Sequence, residues 1–236
     1  MINAPFLAAQ PTAILGLANP FQSADQGIAM WFHERLTPAF VTVLRGLAEF
    51  GSGEWIGAIV FALVLFFVWK RWWPLLVTLI VAVPGGMLLN EWLKVVVQRQ
   101  RPFIDGQFVD WSGYSFASGH TIGATLLYGQ LLLFVLPALT ARRSRFVCVL
   151  GAVSVVLLVG FSRVALGAHF LTDVLAAIFF GTLWLLLCLI TGKSIQKHRH
   201  LPEPLPVASD AAVLAMAQPS QLVPIRAISR PHQRRA

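Results

Sequence analysis

Charge is what this sequence has least of. Only 12% of its 236 residues are charged, and acidic ones are rarest, with 10 Asp and Glu against 18 Lys and Arg. A soluble domain of this length shows amphipathic stripes around one core, whereas here whole segments such as "TIGATLLYGQLLLFVLPAL" (Thr121–Leu139) carry no charged side chain. Cysteine is nearly absent as well. Cys148 and Cys188 both fall inside apolar runs, so neither a disulfide nor a thiolate metal site is indicated, and both read as buried small hydrophobes. Strand-like alternation of polar and apolar residues is missing, which excludes a membrane barrel, and there is no internal repeat. The N-terminal stretch "APFLAAQPTAILGLANP" (Ala4–Pro20) lacks the basic leader of a secretory signal.

What is present is hydrocarbon in blocks. Apolar residues make up 57% of the chain, and five runs are long enough to cross a bilayer as helices of about 20 residues. They are Trp55–Trp69, Pro74–Leu89 continuing toward Val97, Thr121–Leu139, Phe146–Phe161 and Val174–Ile190. The expected fold class is therefore all-α, a polytopic membrane helix bundle with five spans, and Pro84-Gly85-Gly86 is expected to kink the second. Residues 1–50 form a separate N-terminal segment. Its first half reads as a surface helix or a sixth span, and Trp31–Gly53 as an interfacial amphipathic helix. His33-Glu34 reads as a surface charge pair, since no second histidine completes a zinc motif. Residues 51–192 form the transmembrane unit. From residue 193 onward the composition turns to Pro, Ser, Gln and Arg, as in a mostly disordered tail whose His198, His200 and His232 meet anionic headgroups.

The net charge of +8 does not point to nucleic acid, because the basic residues cluster beside the spans. Lys70-Arg71, Arg142-Arg143 with Arg145, and Lys193, Lys197 and Arg199 follow alternate helix ends. By the positive-inside rule these face the cytoplasm, as does the C-terminus. The loops between the second and third spans and between the fourth and fifth then lie on the extracytoplasmic, periplasmic side of the inner membrane.

Those two outward loops hold nearly all the chemistry. Lys94 and Arg101 are seven residues apart, two helical turns, and could share one face of the second span until Pro102 stops it. Lys94 also stands three residues after Glu91, a candidate ion pair. Arg99 reads as a surface or headgroup contact. Arg163 adds a third cation, and guanidinium groups suit bidentate recognition of phosphate oxygens. Ser118 and Gly119 stand where the third span begins, and a helix N-terminus favours an anion. His169 has Asp173 four residues later, a spacing that lets the carboxylate accept the Nδ1 proton and leaves Nε2 as a nucleophile. Asp173 can cap the fifth span at the same time. Everything here converges on a phosphate-sized ligand.

"K-x6-R-P" at Lys94–Pro102, "SGH" at Ser118–His120 and "SR-x5-H-x3-D" at Ser162–Asp173 resemble the three signature motifs of the type 2 phosphatidic acid phosphatase (PAP2) superfamily. The resemblance spans about residues 50–192. It implies that His169 attacks phosphorus to form a phosphohistidine, with Asp173 holding its ring. It implies that His120 protonates the leaving group and later activates water, and that Lys94, Arg101, Ser118, Gly119 and Arg163 bind the phosphoryl oxygens with no metal cofactor. In one departure, Ala117 stands where the family's second motif usually begins with proline. The implied substrate is a lipid phosphate or diphosphate in the bilayer: polyprenyl diphosphate, phosphatidic acid or phosphatidylglycerol phosphate. The same residues would serve transfer to another lipid in place of hydrolysis. A lipid-phosphate binder or transporter would need the arginines but not two histidines with an aspartate.

Overall fold

Five segments of the computed structural model are long and apolar enough to span a bilayer: Pro38–Trp69, Trp73–Val97, Gly119–Ala138, Arg142–Ala165 and Leu171–Gly192. The structure describes residues 20–103 and 113–199, without the side chains of 193–199. Expectations for residues 1–19 and for the tail from 200 on, including His200 and His232, fall outside the described residues.

Among these residues are seven α-helices and no strand: α1 (Gln22–His33), α2 (Pro38–Glu49), α3 (Gly53–Trp69), α4 (Trp73–Val97), α5 (Gly119–Val135), α6 (Arg142–Ala165) and α7 (Leu171–Arg199). The protein is thus an all-helical, multi-pass membrane bundle. The single amphipathic helix expected over Trp31–Gly53 is instead parts of two helices. Thr37 ends the break between them by accepting a hydrogen bond from the Phe40 amide, with Pro38 at the first helical position, where its missing N–H costs nothing. Ser52 caps α3 in the same way through the Trp55 amide. α4 runs through Pro84 without interruption, and the Trp184 indole of α7 donates to the carbonyls of Val81 and Ala82 beside it, both at 3.1 Å. α7 continues past the change in composition at Gly192, since no helix breaker occurs before Pro202.

α5 is the central helix. Its run Thr121–Leu127 is buried on every side, packed against α3, α4 and α6, and it has no polar face to turn to water. Ile122, Leu126 and Leu127 join Leu79, Val83, Phe67 and Leu185 in the main apolar cluster. A smaller cluster of Val41, Leu44, Ala165 and Leu166 docks α2 on the end of α6. Because consecutive spans reverse direction, the end of α4, the start of α5, the end of α6 and the start of α7 meet at one end of the bundle. Cys148 and Cys188 are half-buried, not buried as the sequence suggested, because the faces that carry them point partly outward.

Candidate active site

Two short connections shape this end. Between α6 and α7, Gly167 takes φ +71°, a left-handed conformation that suits glycine, and a Cβ there would also strike the Phe103 ring at 2.8 Å. The turn folds back on α6, so that the Arg163 carbonyl accepts from the amides of Ala168 at 3.0 Å and His169 at 3.3 Å. His169 is thereby fixed just before α7. At the corner between α2 and α3, a Cβ on Gly51 would stand 2.6 Å from the His120 carbonyl. The α2–α3 corner therefore backs directly onto the first turn of α5.

α4 stops earlier than Pro102 alone would require. Gln98 adopts a left-handed conformation (φ 49°) and donates its amide to the Lys94 carbonyl, so Arg101 lies outside the helix. The shared helical face expected for Lys94 and Arg101 is not formed. The extended chain nevertheless delivers Arg101 to the site. Its Nη1 donates to the Ala168 carbonyl at 2.9 Å and lies 3.3 Å from His169 Nε2, while Nε donates to the Gly113 carbonyl at 3.2 Å. Lys94 pairs with Glu91 at 2.7 Å. Its Nζ also stands 3.6 Å from where a Cβ on Gly119 would be, at the start of α5.

Ser118 is the N-cap residue of α5 and is fully buried. Its amide donates to the Asp173 carbonyl at 3.3 Å, a backbone link from the start of α5 to the start of α7. The Phe116–Ala117 peptide bond before it is cis, and Ala117 is buried. His120 follows in the first turn, within electrostatic range of Arg163, Arg101 and Lys94. The site residues named from the sequence, Lys94, Arg101, Ser118, Gly119, His120, Arg163, His169 and Asp173, thus come from four segments distant in sequence and share one helix-end cluster.

The surroundings of His169 differ from the simple pair inferred from spacing. Asp173 Oδ2 is 4.0 Å from Nδ1, beyond a hydrogen bond, and the direct partner of Nδ1 is the Ser115 carbonyl at 2.7 Å. Four residues along the chain give a side-by-side pair only inside a helix, and His169 precedes α7. Asp173 Oδ2 instead accepts from the Ser115 hydroxyl and, at 2.9 Å, from the Phe170 amide, the latter a return bond that caps α7. The carboxylate and the ring are coupled through Ser115. Nδ1 donates to a carbonyl, so the Nε2 lone pair faces Arg101. Burial, then Arg101 and Arg163, hold the imidazole well below its usual value of 6.5 and favour the neutral ring. Burial also lowers the Arg101 value, an effect that Asp173 opposes.

Four residues at this end gave no motif signal. Ser115 is one. Arg99, read from sequence as a surface contact, instead lies inward, pairing with Asp173 at 2.6 Å and with Asp25 of α1 at 2.8 Å. Burial would raise the Asp25 value, but bonds from Arg99 and Thr172 outweigh it and hold the carboxyl below its usual range. Asn90 is fully buried one turn before Lys94, and neither of its amide atoms has a hydrogen-bond partner among the described residues. Its Nδ2 stands 3.6 Å from the position of a Cβ on Gly119. Beside the expected His33-Glu34 pair, Glu34 pairs with Arg35 at 3.2 Å and the His33 ring stacks on Phe103. Among the described residues no three His, Cys, Asp or Glu side chains converge as metal ligands.

A multi-pass helical bundle with cations, two histidines and a buried aspartate gathered at one end has the form of an integral membrane phosphatase. The profile of the PAP2 superfamily matches residues 73–196, and the chain belongs to that superfamily. It is 32% identical over 186 residues to the phosphatidylglycerophosphatase B of Bacillus subtilis (strain 168), covering 77% of this chain and 89% of that one. It also matches the crystal structure of a transmembrane PAP2-type phosphatidylglycerolphosphate phosphatase from Bacillus subtilis, with a TM-score of 0.67 and 30% identity over 75% of this chain and 89% of that one. The protein is a membrane phosphatase of the PAP2 type.

Proposed function

We propose that this enzyme removes the terminal phosphate of a lipid phosphomonoester, phosphatidylglycerol phosphate foremost, through a phosphohistidine on His169 and without a metal ion. The observation that carries the reading is the buried His169 ring, its Nε2 lone pair directed at Arg101 and its Nδ1 proton held by the Ser115 carbonyl. The names of the Bacillus relatives support the choice of lipid.

In the first step Nε2 attacks phosphorus, the P–O bond to the lipid breaks, and His120, protonated once the bound phosphate dianion offsets the cations around it, gives its proton to the departing lipid oxygen. In the second, His120 takes a proton from water, the hydroxide attacks phosphorus, and the P–N bond breaks to release inorganic phosphate and restore neutral His169. Lys94, Arg101 and Arg163 balance the phosphoryl charge, and the first N–H groups of α5, from Gly119 on, are aimed at its oxygens. Asn90 adds a neutral donor: its amide is buried unpaired beside Lys94 and Gly119, and a phosphoryl oxygen would complete it. Asp173 orients the nucleophile through Ser115.

Lys70-Arg71 and Arg142-Arg143 with Arg145 flank the opposite helix ends, so the positive-inside rule assigns the site to the periplasmic face of the inner membrane and the C-terminus to the cytoplasm. There the helix ends meet the headgroup layer, where a lipid's phosphate lies. The deciding assay is phosphate release by the purified protein in detergent, with phosphatidylglycerol phosphate, phosphatidic acid and polyprenyl diphosphate, each with and without excess chelator. Stoichiometric phosphate release, fastest from phosphatidylglycerol phosphate and indifferent to chelator, is expected. Loss of activity with chelator overturns the metal-free mechanism, and faster release from another lipid overturns the substrate.

A further inference from the structure

Asp25 and Arg99 have no task in the chemistry above, yet they form the best-organised polar contact at this end of the molecule. Arg99 Nη2 donates to Asp25 Oδ2 at 2.8 Å, and Nη1 donates to Asp173 Oδ1 at 2.6 Å and to Thr172 Oγ1 at 2.7 Å. Asp25 in turn accepts from the Thr172 hydroxyl and, through Oδ1, from the Thr172 amide at 3.1 Å. The guanidinium carbon stands 4.1 Å from the Phe170 ring centroid. Only 14% of the Arg99 side chain is exposed, and 2% and 0% of the Asp25 and Asp173 side chains. Burying three charges this deeply is costly, and a lasting pair needs the remaining valences satisfied, as they are here. A contact serving only to dock α1 could be made with apolar residues at less cost.

The common target of these bonds is Asp173. Arg99 occupies one of its oxygens, Ser115 and the Phe170 amide occupy the other, and Ser115 holds the His169 ring through its carbonyl. We propose that Asp25 and Arg99 are positioning residues for phosphoryl transfer: the Arg99 fork fixes Asp173, and Asp25, by sharing that positive charge, sets the electrostatic potential at His169. The N-terminal helix α1 is then part of the catalytic apparatus. The inference rests on the reading of His169 as the nucleophile.

The charges facing His169 are Arg101 from the segment after α4, Arg163 from α6, His120 from α5 and Asp173 from α7. Behind them stand the Asp25–Arg99 pair, Lys94 with Glu91 on α4, and Glu49 of α2 near Arg163. Within the Asp25–Arg99–Asp173 chain two negative charges oppose one positive. Asp25→Asn removes a negative charge while keeping the shape, so the imidazolium becomes harder to form. Arg99→Met leaves two carboxylates unopposed, so it becomes easier to form. Arg99→Lys keeps the charge but cannot fork between both carboxylates.

The test is the acid limb of kcat/KM against pH, which reports the free enzyme and substrate. The second ionisation of the substrate phosphate is common to all variants, so differences between limbs belong to the protein. Asp25→Asn is expected to move the limb to lower pH and Arg99→Met to higher pH, each by about half a unit or more. Arg99→Lys is expected to leave the limb in place while kcat falls about 10- to 100-fold and KM changes little. Loss of folded protein lowers activity but cannot move the limb in opposite directions. If Arg99→Met does not fold, Asp25→Asn decides alone, and a limb that stays put or moves upward in that variant overturns the proposal. His169→Ala separates the two readings. If it is inactive while both limbs are unmoved, only the inference falls, whereas an active His169→Ala removes the nucleophile itself.

Discussion

The two ends of the helix bundle are built on opposite principles. At the far end Phe67 packs edge-on against Phe134 at 5.3 Å, and Trp69, Trp72 and Trp73 stand exposed around it, as aromatic residues do at a bilayer surface. At the near end Asp25, Asn90, Ser115, Ser118, Arg163, His169 and Asp173 are all buried. The apolar end satisfies its backbone within helices and asks only for close packing. The polar end gives its buried charges partners recruited from helices far apart in sequence, and it leaves the Asn90 amide without one among the described residues. One end holds the bundle together, and the other spends part of that stability on a charged site.

Substitutions can test this division, beginning with those that cost the most activity. His169→Ala is expected to lower phosphate release about 10⁴-fold or more, with the fold intact by circular dichroism, since it deletes the proposed attacking atom. His120→Ala should cost about 10²- to 10⁴-fold in kcat, the range of a lost general acid. A substrate carrying a good leaving group, such as an aryl phosphate, should recover much of that loss in the first step, and its failure to do so would remove His120 from leaving-group protonation.

Asn90→Leu sharpens the contrast, because it installs the far end's chemistry at the near end. An unpaired buried amide costs about 1–3 kcal/mol, so a similar-sized apolar side chain should raise the melting temperature while kcat/KM falls about tenfold or more. A variant both more stable and fully active would return Asn90 to the scaffold. Leu79→Ala is the converse. Leu79 is fully buried in the apolar cluster, and the cavity should cost about 2–5 kcal/mol and lower the melting temperature, with activity per folded molecule unchanged. A drop in specific activity there would mean that packing at the far end is felt at the site.

The sequence revealed the apolar end more fully than the polar one, for a physical reason. Spanning helices are written in consecutive residues, so uncharged runs locate α3 to α6 and the start of α7 to within a few positions, while α7 runs on past Ile190 to Arg199. The cations and histidines were also visible, because charge in so apolar a chain stands out. What could not be read was which side chain meets which. Asp25 and Thr172 are 147 positions apart and Arg99 and Asp25 are 74 apart. An aspartate in a mixed stretch such as "QSADQG" looks like any surface residue until α1 folds over the site. Arg101 reaches this end by a route that the pattern does not predict, since the left-handed Gln98 that releases it from α4 leaves no mark in the sequence. Asn90 did carry a signal: a lone amide in a greasy span, one turn before Lys94 and on the same face.

The bond from the Ser118 amide to the Asp173 carbonyl ties the start of α5 to the start of α7 through main chain alone. No side-chain substitution can erase it, short of a proline at position 118. The spacing between the helix that carries His120 and the one that carries Asp173 is therefore inherited with the backbone. Descendants of such a scaffold can exchange the side chains that greet a lipid while the chemistry beneath keeps its gauge.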